Sequence, residues 1–180
     1  SEALAREIPG AYLPRQFQND ANPDVHRQTT AQEILRDTDG RVDIFVAGVG
    51  TGGTLTGIGE VLKAHNPATR VVAVEPTDSA VLSGGRRGLH KLQGLGAGFT
   101  PPVLNQTVYD EVVTVRNTEA FAACREIARC EGLLLGASSG AALHAATQLA
   151  KRAGNADKTI VAIMPDTGER YLSGELFEDS

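Results

Sequence analysis

The sequence predicts an α/β fold: a doubly wound, mostly parallel sheet with helices on both faces. From residue 42 onward, apolar runs alternate with helical patterns. Two of these runs, 71–74 and 160–164, are continuously apolar, which is typical of parallel strands covered on both faces. Ligands of this fold class gather at the carboxyl ends of the strands. The turns that follow the strands are therefore the place to look for a site.

The remaining elements can be assigned in order along the chain. Residues 2–7 predict the end of a helix that Pro9 and Gly10 stop, and 11–13 predict a short strand or extended segment. Residues 19–23 have turn chemistry, and Thr30 to Glu33 has the spacing of a capping box. The other expected elements are strands 43–48, 71–75, 111–115 and 159–164, helices 53–65, 118–131 and 139–153, a short apolar run at 133–135 and an irregular glycine-rich stretch at 83–101.

Composition limits the class of protein. The chain has 180 residues, 41% of them apolar, and a formal net charge of -5 without a block of like charges. One core is expected, and neither a nucleic-acid footprint nor a membrane span of about 18 apolar residues is present in the sequence. Cys124 and Cys130 fit no metal-ligand or disulfide spacing, so no metal site is expected. Both are interpreted as packing residues of a protein in a reducing, cytoplasmic compartment.

The most informative stretch is a glycine-rich turn between an expected strand and an expected helix. Gly48, Gly50, Gly52 and Gly53 lie within six residues, and Thr51 and Thr54 add hydroxyl donors. Exposed backbone N–H groups and the positive end of the helix dipole favour a phosphate there. The same pattern, with Glu75 at the end of the next strand, also fits a dinucleotide-binding, NAD-dependent dehydrogenase, and a turn that binds nothing is the plainest alternative.

A second turn, at residues 136–142, joins the short apolar run to another helix. Ser138 or Ser139 is expected to be the helix N-cap, and the other serine to face the same crevice as the first turn. The sequence around them is not a lipase-type nucleophile elbow, so binding is favoured over nucleophilic attack. The loop at 83–101 carries Arg86, Arg87, His90 and Lys91, whose charge suits an anionic substrate or partner as well as a solvated surface.

Together, these residues resemble the O-acetylserine sulfhydrylases (cysteine synthases) of the fold-type-II pyridoxal-phosphate enzymes. Two segments, 93–99 and 168–173, favour cysteine synthase over cystathionine β-synthase and threonine dehydratase, which share the general plan. Six ordered segments carry the resemblance: 14–19, 21–30, 47–57, 92–99, 136–142 and 168–173.

The resemblance implies roles for individual residues. Ser138 would hydrogen-bond the pyridine nitrogen of pyridoxal 5'-phosphate, Gln16 would lie on the substrate side, and Gly94 would lie on the loop facing the substrate amino group. A neutral hydroxyl at the ring nitrogen leaves the ring unprotonated and makes it a weaker electron sink, which suits β-elimination. The cofactor phosphate would be held by Gly50, Thr51, Gly52, Gly53 and Thr54.

The implied activity is synthesis of cysteine from O-acetylserine and sulfide by β-elimination and β-replacement. The family's Schiff-base lysine and its Thr-Ser-Gly-Asn loop lie in an N-terminal region that has no counterpart here, so no catalytic residue is assigned. Residues 1–17 are accordingly interpreted as the remnant of an absent N-terminal small domain, and 18–180 as the large domain that binds the cofactor phosphate. This chain by itself is expected to be inactive.

The resemblance also implies partners. A homodimer is expected, and the C-terminal tail of serine acetyltransferase is a candidate partner. A catalytically silent binding fragment that docks this tail is therefore the main alternative to the enzyme. The NAD-dependent dehydrogenase is a remote alternative.

Overall fold

A computed structural model describes residues 1–178 and contains six α-helices and four strands in that range. Three short 3₁₀ turns lie at Thr77–Ser79, Ala153–Asn155 and Gly168–Tyr171. The elements are α1 (Glu2–Glu7), α2 (Ala21–Gln28), α3 (Thr30–Asp37), β1 (Ile44–Gly48), α4 (Gly53–His65), β2 (Arg70–Pro76), β3 (Glu111–Val115), α5 (Asn117–Glu131), α6 (Ala137–Ala150) and β4 (Ile160–Ala162).

The four strands form one parallel sheet in the order β3-β2-β1-β4. Val46 at the centre of β1 pairs with Val72 on one side and Ala162 on the other. The chain therefore moves outward from β1 to β2 and β3, and then returns across the sheet to β4. This reversal places a topological switch point between the carboxyl ends of β1 and β4.

Helices cover both faces of the sheet, as the apolar runs predict. Because successive side chains of a strand point to opposite faces, β1 sends Ile44 and Val46 to one core and Phe45 and Ala47 to the other. The first core is completed by α5 and α6, and the second by α3 and α4. The doubly wound α/β prediction is confirmed.

Two local predictions were wrong. Residues 19–23 do not form a turn alone, because α2 begins at Ala21, and Pro23 is tolerated within its first turn, where a missing N–H costs little. The capping box at Thr30 does not form; Thr29 is the N-cap residue, and its hydroxyl donates to the Val25 carbonyl instead. The apolar run at 133–135 makes only an isolated bridge, between Leu135 and Thr167.

Helix α6 also differs from its prediction of 139–153. It begins at Ala137 with Gly136 as the N-cap residue, so neither Ser138 nor Ser139 has that role. Its α-helical part ends at Ala150, and the side-chain amide of Asn155 donates to the Leu149 carbonyl at 2.7 Å. A carbonyl near the carboxyl end of α6 is thus satisfied by a side chain beyond the helix.

Candidate cofactor site

A cavity of about 430 Å³ lies at the switch point between β1 and β4. This volume is in the range of small-molecule sites. Its walls come from four places: the glycine-rich turn after β1, residues 93–95 of the glycine-rich loop, Ser138 of α6, and the segment after β4. The lining residues that the sequence singled out are Gly50, Thr51, Gly52, Thr54, Gly94 and Ser138. Segments more than 100 residues apart in the chain, from Gly48 to Tyr171, thus meet in one cavity.

The glycine-rich turn is shaped by close approach of the backbone. A Cβ on Gly50 would lie 2.1 Å from the Gly94 carbonyl oxygen, which no real contact allows. Gly52 has φ 87°, in the left-handed region, and is the N-cap residue of α4 without a side-chain cap. The Gly53 N–H donates to the Thr51 hydroxyl oxygen, and the next N–H groups of α4 are left for a ligand, at the positive end of the helix dipole.

The Thr51 hydroxyl is oriented by its neighbours. Its oxygen accepts hydrogen bonds from the Asn22 side-chain amide at 2.9 Å and from the Gly53 N–H at 3.3 Å. A hydroxyl has two acceptor sites and one proton, so its proton stays available for a further acceptor. Because Thr51 lines the cavity, an anion bound there is such an acceptor.

Asn22 ties this turn to the N-terminal segment. The second proton of its amide goes to the Gln16 carbonyl at 2.8 Å. Its oxygen occupies the space of the missing side chain of Gly53, where a Cβ would lie 2.0 Å away. Gly53 is therefore buried under Asn22 at the start of α4 and does not line the cavity.

The hydroxyl of Thr54 lies 3.2 Å from Nε2 of His26, and Nδ1 of His26 lies 3.1 Å from the Thr30 hydroxyl. Partial burial lowers the pKa of His26, so its ring is neutral at pH 7. One ring nitrogen then donates and the other accepts. His26 thus links α2 to the cavity-lining Thr54.

At the opposite end of the cavity, Ser138 lies in the first turn of α6 and is buried. The carboxylate of Asp166 accepts from its N–H at 3.3 Å and from the N–H of Ser139 at 2.8 Å. The hydroxyls of Ser139 and Tyr171 also donate to this carboxylate, at 2.5 and 3.0 Å. A carboxylate from the segment after β4 thus caps α6, in place of a local serine.

Gln16 lies elsewhere. It lines a second cavity of about 510 Å³ with residues 13–18 and Phe99. Among the described residues, Gln16 is connected to the first cavity through the bond from Asn22 to its carbonyl. The structure therefore brings six of the eight predicted binding residues into one cavity and leaves Gln16 and Gly53 beside it.

Glu75 has a structural explanation. It is buried, and its two carboxylate oxygens accept from the N–H groups of Leu82 and Ser83, both at 2.8 Å, and from the Ser83 hydroxyl at 2.6 Å. These bonds hold the chain reversal after β2. A ribose, as the dehydrogenase alternative requires, would have to compete with all three.

The four lysines of the sequence, Lys63, Lys91, Lys151 and Lys158, are not among the residues that line the first cavity. Three of them pair with carboxylates, namely those of Asp110, Glu175 and Asp43. Within residues 1–178, no group of three or more histidine, cysteine or acidic side chains is arranged to hold a metal ion. No helix in that range has the length and apolar character to cross a membrane.

Comparison with known proteins now adds the family. The profile of the family described as "Pyridoxal-phosphate dependent enzyme" matches residues 1–166, so the chain belongs to this family. Among curated proteins it is similar to the cysteine synthase of Staphylococcus aureus, with 52% identity over 173 residues. That match covers 96% of this chain but 56% of the relative, so the chain spans little more than half the relative's length.

Solved structures agree on the fold. The cysteine synthase of Entamoeba histolytica superposes with a TM-score of 0.94 and 42% identity, covering 99% of this chain and 54% of that one. The O-acetylserine-dependent cystathionine β-synthase of Helicobacter pylori has a TM-score of 0.92 and 40% identity, covering 98% and 57%. The predicted resemblance to the cysteine synthases is confirmed.

Sequence reasoning missed several residues of the site: Asp166, Tyr171, Asn22 and the link through His26. A signal for Asp166 was present, since it follows Pro165 directly after an expected parallel strand, at the edge where ligands bind. Asn22 lay within a segment that carried the resemblance but had no local sign of function. Its partners are 29 and 6 residues away, and only the fold brings them together.

Proposed function

We propose that these residues form the part of a cysteine synthase that binds pyridoxal 5'-phosphate, and that the whole enzyme makes cysteine from O-acetylserine and sulfide. The observation that carries the proposal is that the glycine-rich turn after β1, Gly94 and Ser138 meet in one cavity at the switch point. The family and the similarity to cysteine synthases support it. The bound cofactor would supply the electron sink for β-elimination and β-replacement.

The phosphate would be held at the turn after β1. Its residues fit such a group. The N-terminus of α4 has no side-chain cap from Gly52, the Thr51 hydroxyl retains a proton to donate, and the close-packed glycines allow a ligand to approach the backbone. Thr54 would add a second hydroxyl, positioned by neutral His26. Gly50, Gly52 and Gly53 would contribute through their backbone.

Ser138 would lie at the ring nitrogen, and Gly94 and Gln16 on the substrate side. Ser138 is held in place by Asp166, and Gly94 is held by packing of its carbonyl against Gly50. Gln16 would act from the edge of the neighbouring cavity. These chain residues bind and orient the groups, while the lysine that carries the cofactor would come from residues outside the 180 in this sequence.

The proposed division of the chain follows from this. Residues 1–17 would pack with the small domain that supplies the lysine, and 18–180 would form the large domain. In support, α1 has no buried residue, and the segment around Gln16 lines a cavity of its own. The exposed apolar side chains Leu4, Ile8 and Tyr12 fit coverage by such a domain.

The test joins this chain to the lysine-bearing region of the Staphylococcus aureus cysteine synthase. We expect the joined protein to gain the visible absorbance of lysine-bound cofactor and to form cysteine from O-acetylserine and sulfide. Thr51→Val should weaken cofactor binding about tenfold by removing one charge-assisted hydrogen bond. Thr147→Val, on the exposed face of α6, is the matched control. Cofactor binding without cysteine formation would rule out the proposed substrates.

A second proposal is favoured by the lack of a lysine around the cavity: the 180-residue chain alone is a silent module that binds the tail of serine acetyltransferase. Fluorescence titration with a tail peptide tests this, and no saturable binding would exclude it. A homodimer and a cytoplasmic location are proposed on family resemblance and on composition. Saturable NAD binding that is lost in Glu75→Gln would instead support the dehydrogenase.

A further inference from the structure

Two helices begin at the candidate cavity. Thr54 lies in the first turn of α4 and Ser138 lies in the first turn of α6, and both residues line the cavity. The amino-terminal end of each helix carries backbone N–H groups without a partner inside the helix and the positive end of the helix dipole. By helix geometry alone, a ligand with one phosphate could therefore lie in the cavity in either of two directions.

Asp166 occupies the amino-terminal end of α6. Its carboxylate accepts from the N–H groups of Ser138 and Ser139 at 3.3 and 2.8 Å. It also accepts from the hydroxyls of Ser139 and Tyr171 at 2.5 and 3.0 Å. Gly136 leaves room for this group, since a Cβ there would lie 2.2 Å from Oδ2 of Asp166. The anion at this helix end is thus supplied by the chain itself.

Without this carboxylate, the same end of the cavity would attract a phosphate. The two N–H groups and two hydroxyls that donate to Asp166 are the kinds of donor that bind phosphate. The exposed Arg170 belongs to the same 3₁₀ turn as Tyr171 and lines the cavity, so it adds a positive charge. With Asp166 in place, these four donors are used and a negative charge repels a second anion.

The two ends of the cavity therefore differ in charge. Burial opposes ionisation of Asp166, but the hydrogen bonds that its carboxyl accepts outweigh burial and lower its pKa, so it is an anion at neutral pH. Among the described residues that line the cavity, Asp166 is the only one with a carboxylate. At the α4 end, Gly52 provides no side-chain cap and the Thr51 hydroxyl retains a proton to donate.

We propose that Asp166 fixes the direction in which the cofactor lies, because its carboxylate excludes the phosphate from the amino-terminal end of α6 and leaves it the turn before α4. This rests on the proposed function, which puts the phosphate at that turn, and names what prevents the reverse placement. Asp166 is a positioning residue, since it acts by occupying donors and by repulsion. The ring nitrogen is then directed to the end where Ser138 lies.

The first experiment uses inorganic phosphate as the probe and ¹H–¹⁵N spectra of the 180-residue chain as the readout. In the unaltered chain we expect one bound phosphate, which shifts the amide signals of 50–54 and not those of Ser138 and Ser139. In Asp166→Ala we expect a second bound phosphate that also shifts the Ser138 and Ser139 signals. Asp157→Ala removes an exposed carboxylate that does not line the cavity, and as the matched control it should bind one phosphate.

Asp166→Asn is the second variant, since it removes the charge while an amide oxygen can still cap α6. It keeps the test valid if the alanine disturbs the start of the helix. We expect the same additional shifts at Ser138 and Ser139, but at higher phosphate concentration, because the amide oxygen still competes for the two N–H groups. Far-UV circular dichroism checks that each variant retains α6.

The second experiment tests the direction of binding with 4-deoxypyridoxine 5'-phosphate. This probe has the phosphate and the ring nitrogen of the cofactor but no aldehyde, so its binding needs no lysine. Thr51→Val should weaken its binding about tenfold in the otherwise unaltered chain, by removing one charge-assisted hydrogen bond. In the Asp166→Ala background the same substitution should weaken binding about twofold or less, because the probe can then bind with its phosphate at α6.

Three results would overturn the inference. Phosphate could leave the Ser138 and Ser139 signals unchanged in both Asp166 variants, or it could already shift them in the unaltered chain. The tenfold effect of Thr51→Val could also persist in the Asp166→Ala background. If phosphate instead leaves the signals of 50–54 unchanged in the unaltered chain, the proposed function fails. New shifts at Ser138 and Ser139 in the variants would still support the exclusion of phosphate by Asp166.

Discussion

At the scale of single residues, the shape of the cavity depends on glycines, because a side chain at these positions would collide with a neighbouring segment. Gly50 packs its α-carbon against the Gly94 carbonyl, and Gly136 leaves room for the Asp166 carboxylate. Each of these glycines serves close approach between segments that are far apart in the chain. Substitution at such a position is therefore a direct test of the geometry.

We expect Gly50→Ala to lower the free energy of unfolding by about 2 kcal/mol, because the added methyl group forces two backbone segments apart. Gly154→Ala is the matched control, since a Cβ there meets no atom within 4 Å and the residue has no positive φ. Chemical denaturation of both variants provides the measurement. Equal stabilities would contradict the close approach.

At the scale of elements, the site is fixed by hydrogen bonds between segments. Asn22 joins α2 to the turn before α4 and to the Gln16 segment, and Asp166 joins the end of β4 to the start of α6. Glu75 holds the chain reversal after β2. In each case one polar side chain satisfies backbone or hydroxyl groups that have no partner within their own element.

Replacing Asn22 with alanine should therefore affect two places at once. We expect about tenfold weaker binding of 4-deoxypyridoxine 5'-phosphate, since the Thr51 hydroxyl loses the bond that orients it. Limited proteolysis should also cut more rapidly at residues 14–18. The control is Gln32→Ala, which removes a solvent-exposed hydrogen bond from the Gln32 side-chain amide to the Arg27 carbonyl. Unchanged affinity together with unchanged proteolysis would show that Asn22 does not couple these segments.

At the scale of the whole molecule, ion pairs join distant parts of the sheet at its amino-terminal end. Glu111 on β3 accepts from Arg70 of β2 at 2.7 Å and from Arg152, just after α6, at 2.6 and 2.9 Å. The hydrogen bond from Arg152 is the largest cause that lowers the pKa of Glu111. Since these groups are partly exposed, each pair contributes only modestly.

The lowered pKa of Glu111 sets the sign of the pH dependence of stability. A carboxyl whose pKa is lowered by folding stabilises the protein above its unfolded pKa, about 4.3 for glutamate, and loses that contribution as pH falls through the folded pKa. Glu111→Gln should cost about 1 kcal/mol at pH 7 and progressively less below pH 4. Denaturation at several pH values, with Glu7→Gln of exposed α1 as the control, measures it. A pH-independent loss would contradict the ion-pair explanation.

The whole molecule also determines what this chain can do alone. Because none of its four lysines lies along the cavity, treatment with pyridoxal 5'-phosphate and borohydride should give no preferential labelling at one lysine. Peptide mass mapping after reduction provides the readout. Stoichiometric labelling of one lysine in the folded chain, lost in the unfolded chain, would contradict the need for a further lysine.

The sequence by itself determined the parts that are local. The continuous apolar runs and the helix pattern of 53–65 predict the fold class, and the glycines predict the tight turn after β1, since each depends on neighbours within a few residues. The ordered motifs predicted the family. The sequence could not show that α6 is capped by Asp166, and the local serines led to a wrong N-cap.

Only the tertiary structure decided which polar groups meet. Asp166 lies 28 residues from Ser138 in the chain, and Asn22 lies 29 residues from Thr51. Neither pairing has a sequence period. The first arises because the segment after β4 runs beside the start of α6, and the second because α2 packs against α4. The glycine-rich turn after β1 was therefore readable in the sequence, whereas the carboxylate at the other end of the cavity was placed by the tertiary fold.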